Sequence, residues 1–220
     1  MRRTMAKAAF HTALNLLFFA LIGTGLLALT YNLTHDTIKL SEEKEKLKLI
    51  SQVVPASAYN NDLMKDIAQL EVDELLGGDE LTTVYRGRLD NKASIAVLQA
   101  IAPDGYGGRI NLIVAIHQDG KIGGVRVASH METPGLGDYI EISKNTWINI
   151  FAGNSLENQR DMDWKVKKDG GVYDYMAGAT ITPRAVIKAV HKALQYFALH
   201  REEIFAQTVT GTPIQQEKNK

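Results

Sequence analysis

The first 35 residues follow an apolar pattern with a charged start. From Ala8 to Leu33 the chain has no Asp, Glu, Lys or Arg and is rich in Leu, Phe, Ala and Gly. About 20 such residues cross the hydrocarbon core of a bilayer as a helix. A cleaved signal peptide usually has a shorter apolar core and a small-residue cleavage site. A buried core helix is the other alternative, and we expect an uncleaved single-span anchor over residues 1–35.

Charges on either side of this segment predict its orientation. Arg2, Arg3 and Lys7 precede it and Asp36 follows it. Positive charge is enriched on the cytoplasmic side of membrane spans. We therefore expect a cytoplasmic N-terminus in a bacterial inner membrane, with the main domain on the periplasmic side.

Residues 36–80 predict a juxtamembrane helical region. Glu and Lys alternate with apolar residues from Asp36 to Val54, which is typical of a surface helix that ends before Pro55. Residues 56–80 mix short helical and loop signals, and Gly77-Gly78 indicates a turn.

Residues 81–205 predict an α+β domain with antiparallel strands and flanking helices. Apolar runs bounded by turn residues predict four strands, over Leu81–Leu89, Ser94–Ile101, Ile110–Ile116 and Ile122–Ala128. The pattern also predicts a short helix over Glu141–Phe151 and a long amphipathic helix from Pro183 to about Phe205. Residues 206–220 lack apolar periodicity and predict a disordered tail.

Composition excludes several kinds of site. The chain has 25 basic and 25 acidic residues, so net charge gives no case for nucleic-acid binding. It has no cysteine, which excludes disulfides and Cys-ligated metals or clusters in this chain. Its six histidines lack metal-ligand spacing, and no nucleophile–base–acid set is evident. We predict neither catalytic nor metal-binding residues, so redox chemistry would require an organic cofactor.

The stretch Asp174–Val186 carries the strongest chemical signal. Thr182 is a good N-cap residue, and Pro183 suits the first helical position because its missing N–H has no helical partner there. Thr180 would then lie just ahead of a helix N-terminus, where N–H groups and the helix dipole favour a phosphate. Taken alone, a Thr at this position is usually only part of a helix entry.

The same residues resemble a known family. Gly178-Ala179-Thr180, preceded by Asp174, is similar to the flavinylation motif of the FMN-binding domain family. The chain most resembles the G subunits of Rnf-type electron-transport complexes, paralogues of the C subunits of sodium-translocating NADH:quinone reductases. Ala177 departs from the motif, which usually has Ser or Thr there. Three further segments match in the same order, namely residues 102–108, 132–138 and 164–171.

That resemblance implies an FMN joined by a phosphodiester to the Thr180 hydroxyl. Thr182 is the rival attachment point, although capping accounts for it. Small residues at 178 and 179 would let a phosphate approach closely. The resemblance places the loop at 132–138 against the flavin. A phosphodiester anion would attract one of the two lysines, and Tyr106 would either stack on the ring or only cover the sheet. The implied contacts are Thr180, Gly178, Ala179, Asp174, Glu132, Thr133, Gly135, Leu136, Lys167, Lys168 and Tyr106.

The resemblance also implies a function and partners. Such a chain relays electrons inside a membrane complex that couples ferredoxin and NAD electron transfer to ion movement, and is not a stand-alone enzyme. Its partners are the other subunits, the membrane, and a flavin transferase that uses FAD and magnesium and releases AMP. Two alternatives stay open: the paralogous quinone-reductase subunit, and a non-redox anchored scaffold without flavin.

Overall fold

The structure of the protein is a computed structural model that describes residues 2–71, 73–78 and 81–206. The chain divides after Leu47 into two compact units. Its regular elements are, in order, α1 (Arg2–Val53), β1 (Ile67–Leu70), β2 (Thr82–Leu89), β3 (Lys92–Gly105), β4 (Gly108–His117), β5 (Ile122–Ser129) and α2 (Ile181–Ala206).

Helix α1 is continuous, and it joins the predicted span to the predicted surface helix without a break. Its segment Ala9–Ile38 is long and apolar enough to cross a membrane, and its residues are not buried by the rest of the protein. The hydroxyls of Thr30 and Thr34 donate to the carbonyls of Leu26 and Thr30, each at 2.8 Å. Because these hydroxyls bond within the helix, they do not present unsatisfied polar groups to lipid.

The second unit is built on a five-stranded antiparallel sheet in the order β1-β2-β3-β4-β5. Each strand pairs with the next along the chain, as short connections favour. Asp90 and Asn91 join β2 to β3 with φ of 52° and 63°. Two successive residues at positive φ form the hairpin turn whose twist matches that of the strands, so the predicted hairpin is confirmed.

Both faces of the sheet are covered. Leu112, Val114 and Ile116 of β4 belong to the core shared with α2. Ile113 and Ala115, from the same strand, pack with the end of α1, including Ile50 and Val53. A strand buried on both faces needs apolar side chains at every position, which explains why β4 reads as a nearly continuous apolar run.

Two elements differ from the predictions. Strand β1 was missed because its four residues include Ala and Gln, which favour helices, and only pairing with β2 extends them. The short helix predicted over Glu141–Phe151 is confirmed only in its second half, where a 3-10 helix occupies Thr146–Phe151. Asn145 is extended, with φ −155° and ψ 152°, and its side chain accepts from the Trp147 N–H at 2.9 Å. This side-chain cap starts a new turn and so prevents one continuous helix.

Helix α2 begins at Ile181, two residues before its predicted start, and ends at Ala206. The remainder of the predicted disordered tail, residues 207–220, lies outside the described residues.

Candidate functional site

Helix α2 starts directly after the motif. The Thr180 carbonyl accepts from the Arg184 N–H at 3.4 Å, which makes Thr180 the residue that caps the helix. The prediction that Thr182 is the N-cap is therefore wrong, since Thr182 lies inside the first turn. Pro183 fits here as well as at the first helical position, because N–H groups throughout the first turn lack a helical partner.

A tight turn presents Thr180. Gly178 has φ +88°, a left-handed conformation that glycine adopts without strain. The Ala179 N–H donates to the Met176 carbonyl at 3.1 Å and closes the turn. Ala177 lies within this turn and is exposed. The backbone therefore requires a glycine at 178, independently of any need for space beside a ligand.

A cavity of about 290 Å³ opens at this turn. The first turn of α2 forms one wall, and the loop after β5 and the β3–β4 hairpin form the others. The lining residues are Tyr106, Glu132, Thr133, Leu136, Gly137, Gly178, Ala179, Thr180, Ile181 and Thr182.

The two threonines of the motif differ sharply. Thr182 is 1% exposed, and its hydroxyl donates to Glu132 Oε2 at 2.5 Å. Thr180 is half-buried on the cavity wall. Within the described residues the Thr180 hydroxyl makes no hydrogen bond. Of the two hydroxyls, the one at Thr180 is therefore the one available for chemistry.

Glu132 is a buried carboxylate, 4% exposed, held from several sides. Its Oε1 accepts from the Gly107 N–H at 3.0 Å. Its own N–H donates to Nδ1 of His130 at 2.9 Å, so Nε2 of that ring carries the proton that faces Glu141 Oε1 at 2.7 Å. Hydrogen bonds from Ser143 and then from His130 lower the pKa of Glu141.

The loop after Glu132 is closed by hydrogen bonds among its own residues. The Gly135 N–H donates to Asp138 Oδ1 at 2.8 Å, and the Leu136 N–H donates to the Thr133 carbonyl at 3.1 Å. Gly135 and Leu136 are among the implied flavin contacts, and in the structure the N–H groups of both residues bond within the loop. Leu136 and Thr133 nevertheless line the cavity, whereas Gly135 does not.

Besides Gly135, three of the predicted contacts do not line the cavity. Asp174 is exposed and pairs with Lys167 at 2.6 Å. Its carbonyl accepts from Trp147 Nε1 at 2.8 Å. Lys168 is exposed on the adjacent 3-10 turn, Lys167–Asp169. An exposed ion pair is worth little to stability, so the Asp174–Lys167 pair is a weak constraint on either side chain.

Three lining residues were not predicted as flavin contacts: Gly137, Ile181 and Thr182. Gly137 ends the segment 132–138 that carried the resemblance, and the other two directly follow Thr180. These positions, inside or beside the segments that carry the resemblance, could have identified all three residues from the sequence. A Cβ at Gly137 would lie 2.7 Å from Glu132 Oε2 and 2.9 Å from the Thr182 hydroxyl oxygen, so the close approach of these groups needs glycine.

Comparison with known proteins identifies the family. Residues 105–195 match the FMN-binding domain, and residues 2–53 match the RnfG N-terminal region. The chain is 42% identical over 204 residues to the G subunit of the ion-translocating oxidoreductase complex of Aliivibrio fischeri, covering 93% of this chain and 95% of the relative. The chain belongs to the family of G subunits of ion-translocating oxidoreductase complexes.

Other relatives of the same family agree. The G subunit from Pseudomonas aeruginosa is 44% identical over 200 residues, which cover 91% of this chain and 94% of the relative. The G subunit from Shewanella oneidensis is 44% identical over 203 residues, which cover 92% and 96%. All residues that line the cavity fall inside the segment matched to the FMN-binding domain. The resemblance drawn from the motif is confirmed, and the RnfG N-terminal match favours the Rnf-type family over its paralogue.

The cavity wall has donors suited to a phosphate and apolar surface suited to a ring system. Within the described ranges the N–H groups of Ile181 and Thr182 make no hydrogen bond, and both lie at the positive end of the α2 dipole. Such N–H groups are a recognised binding place for phosphate. Tyr106 and Leu136 add exposed apolar surface on the opposite walls, where an aromatic ring system could pack.

Proposed function

We propose that the protein is a membrane-anchored, electron-carrying subunit of an ion-translocating oxidoreductase complex, with FMN joined to Thr180 through a phosphodiester. The family assignment and the matched FMN-binding domain support the flavin. FMN, when bound, supplies one- and two-electron redox chemistry. The chain itself would tether the cofactor, orient it and fix its electrostatic surroundings.

The observation that carries the attachment point is the contrast between the two threonines. Thr180 lines the cavity with a hydroxyl that has no partner in the described residues. The Thr182 hydroxyl is buried against Glu132. A nucleophilic hydroxyl must reach the phosphorus of its donor, which favours Thr180.

Different groups of the chain would then bind the phosphodiester, present the linking oxygen and flank the ring. The Ile181 and Thr182 N–H groups would hold the phosphodiester oxygens at the start of α2. The turn through Gly178 would present the linking oxygen, and Tyr106 and Leu136 would flank the ring. Ala177 offers no hydroxyl to the phosphate, so the backbone donors would carry that interaction.

The proposal also covers how the flavin is attached and where the protein is located. A flavin transferase would transfer the FMN moiety of FAD to Thr180 and release AMP. Segment Ala9–Ile38 would anchor the protein in a bacterial inner membrane by a single pass, with a periplasmic domain. Covalent linkage suits that compartment, since a dissociated FMN would be lost from it. The other subunits of the complex would exchange electrons with the tethered flavin.

Flavin fluorescence in a denaturing gel tests the attachment. The full chain is co-expressed with a flavin transferase beside Thr180→Ala, Thr180→Ser and Thr182→Ala variants. We expect a fluorescent band from the wild type, Thr180→Ser and Thr182→Ala, and none from Thr180→Ala. Fragmentation of the tryptic peptide 169–184, which contains both threonines, locates the added mass.

The alternatives give different results. A band that survives Thr180→Ala but disappears with Thr182→Ala would move the attachment to Thr182. A wild type without bound flavin, covalent or released on denaturation, would favour the non-redox scaffold. Released flavin without a fluorescent band would keep the flavoprotein and exclude the covalent link.

A further inference from the structure

Glu132 places an uncompensated negative charge on the wall of the cavity. Its side chain is 4% exposed and lines the same cavity as Thr180. In the part of the chain that the structure describes, Glu132 has no cationic partner. Buried carboxylates are usually paired with a cation or bound to a metal, so an unpaired one beside a ligand cavity calls for a functional explanation.

This carboxylate is fixed in position. Oε1 accepts from the Gly107 N–H and Oε2 accepts from the Thr182 hydroxyl. The packing around it is equally tight, because a Cβ at Gly105 would lie 2.7 Å from Oε1 and one at Gly137 would lie 2.7 Å from Oε2. The carboxylate is therefore held by two hydrogen bonds and closely packed by the backbone at these two glycines.

The main chain of Glu132 is also restrained. Its N–H donates to His130 Nδ1, and His130 Nε2 faces Glu141 Oε1 at 2.7 Å. Hydrogen bonds thus connect Glu132 to Thr182 in the first turn of α2 and, through His130, to Glu141. Fixed charges in a water-poor site act on a bound group far more strongly than the same charges in water.

We propose that the Glu132 carboxylate lowers the reduction potential of the flavin tethered at Thr180. This inference rests on the proposed function. Reduction adds negative charge to the cofactor, and a fixed carboxylate in the same cavity opposes that change, while the Gly107 and Thr182 donors set how strongly it does so. Glu132 acts through its electric field and exchanges neither electrons nor atoms.

The test is a redox titration of the full-length, flavin-loaded protein in detergent, followed by the flavin absorbance. Glu132→Gln keeps the size of the side chain and an oxygen that accepts from Gly107, but it removes the charge. We expect its midpoint potential to be more positive than that of the wild type. Glu132→Asp, which keeps the charge, should stay nearer the wild type.

Two more variants separate an effect of the Glu132 charge from a general disturbance of the site. Glu141→Gln removes a carboxylate that lies behind His130 and does not line the cavity, so its shift should be much smaller. Thr182→Val removes one donor from Glu132, leaves the charge less compensated, and should shift the potential in the negative direction. Opposite shifts from Glu132→Gln and Thr182→Val cannot arise from a general loosening of the site.

Every outcome of the redox titration either supports or overturns the proposed role of Glu132. An unchanged or more negative potential in fully loaded Glu132→Gln overturns the proposal. If that variant takes up no flavin, Thr182→Val decides by the direction of its shift. Loss of flavin from both variants also overturns the proposal, because Glu132 would then serve attachment. A wild type without flavin contradicts the proposed function instead, and the two failures are thereby distinguished.

Discussion

Two threonines only two positions apart have different roles because of their surroundings. The Thr182 hydroxyl is buried against Glu132, whereas the Thr180 side chain is half-buried on the cavity wall. Thr180 caps α2 through its carbonyl, which leaves its side chain independent of the helix hydrogen bonds. A buried hydroxyl bonded to a carboxylate is costly to release, so the Thr180 hydroxyl is the more accessible of the two.

Gly178→Ala tests the turn that presents Thr180. Gly178 has φ +88° and Gly120 has φ +86°, and a Cβ at either would meet no atom within 4 Å. Both alanine variants should lose about 1 kcal/mol of stability, because the left-handed conformation strains a residue with a Cβ. Only Gly178→Ala should also reduce the yield of covalent flavin, measured as gel fluorescence per mole of protein. Equal yields from the two variants would contradict the role of the turn.

At the level of elements, α2 is held at both ends. Its first turn bonds to Glu132 through Thr182. At its last turn, Arg86 Nη1 donates to the Ile204 carbonyl and Arg88 Nη2 donates to the Phe205 carbonyl, each at 3.1 Å. Asp66 bonds both guanidinium groups, to Arg86 Nε at 2.6 Å and to Arg88 Nε at 2.7 Å. Positive charge at a helix C-terminus is favourable, and Asp66 compensates it.

Asp66→Asn should destabilise the second unit strongly. The Arg86 side chain is 0% exposed and that of Asp66 is 10% exposed, so the substitution removes a negative charge that lies directly against a buried guanidinium. Removing one member of a buried ion pair costs about 3–5 kcal/mol. Chemical unfolding in detergent, followed by the fluorescence of Trp147 and Trp164, measures the loss.

Asp62→Asn is the matched control for that measurement. Asp62 pairs with Lys65 at 3.2 Å, and both side chains are largely exposed. Exposed pairs contribute little, so this variant should unfold almost like the wild type. Similar behaviour of the two variants would show that the Asp66 cluster is not a stabilising feature of α2.

For the whole molecule, one chain joins a candidate membrane anchor to a domain that bears the cavity. The anchor segment Ala9–Ile38 consists of residues that the protein itself does not bury. Such a surface is stable only in an apolar environment. Such an anchor would confine the domain near a membrane and would raise its effective concentration for partners there.

The orientation of that anchor is a further prediction. A reporter enzyme active only in the periplasm, fused after Ala206, should be active, and one active only in the cytoplasm should be silent. Replacing Arg2, Arg3 and Lys7 by Glu should weaken this preference, because basic residues hold the cytoplasmic end. Cytoplasmic activity of the unmodified fusion would reverse the proposed topology.

Local patterns in the sequence were enough for much of the fold. The Asp90-Asn91 turn and the apolar run of β4 predict their elements because turn chemistry and full burial leave strong local signals. Strand β1 was not predicted, and the short helix predicted over Glu141–Phe151 is confined to the 3-10 helix Thr146–Phe151. The first depends on pairing with β2, and the second depends on a side-chain bond from Asn145, so neither has a distinctive pattern of its own.

The candidate site likewise combines features that local sequence predicts with features that depend on tertiary contacts. Residues adjacent in the chain were sufficient to predict the family, the candidate anchor and Thr180 as the candidate attachment residue. The tertiary structure was needed to show that Glu132 and Thr182 share a hydrogen bond, that Thr180 lines a cavity, and that Asp174, Lys167 and Lys168 do not line it. Those facts depend on contacts between the loop after β5, the β3–β4 hairpin and α2. Contacts between distant segments are set by packing of the whole domain, which local sequence patterns do not encode.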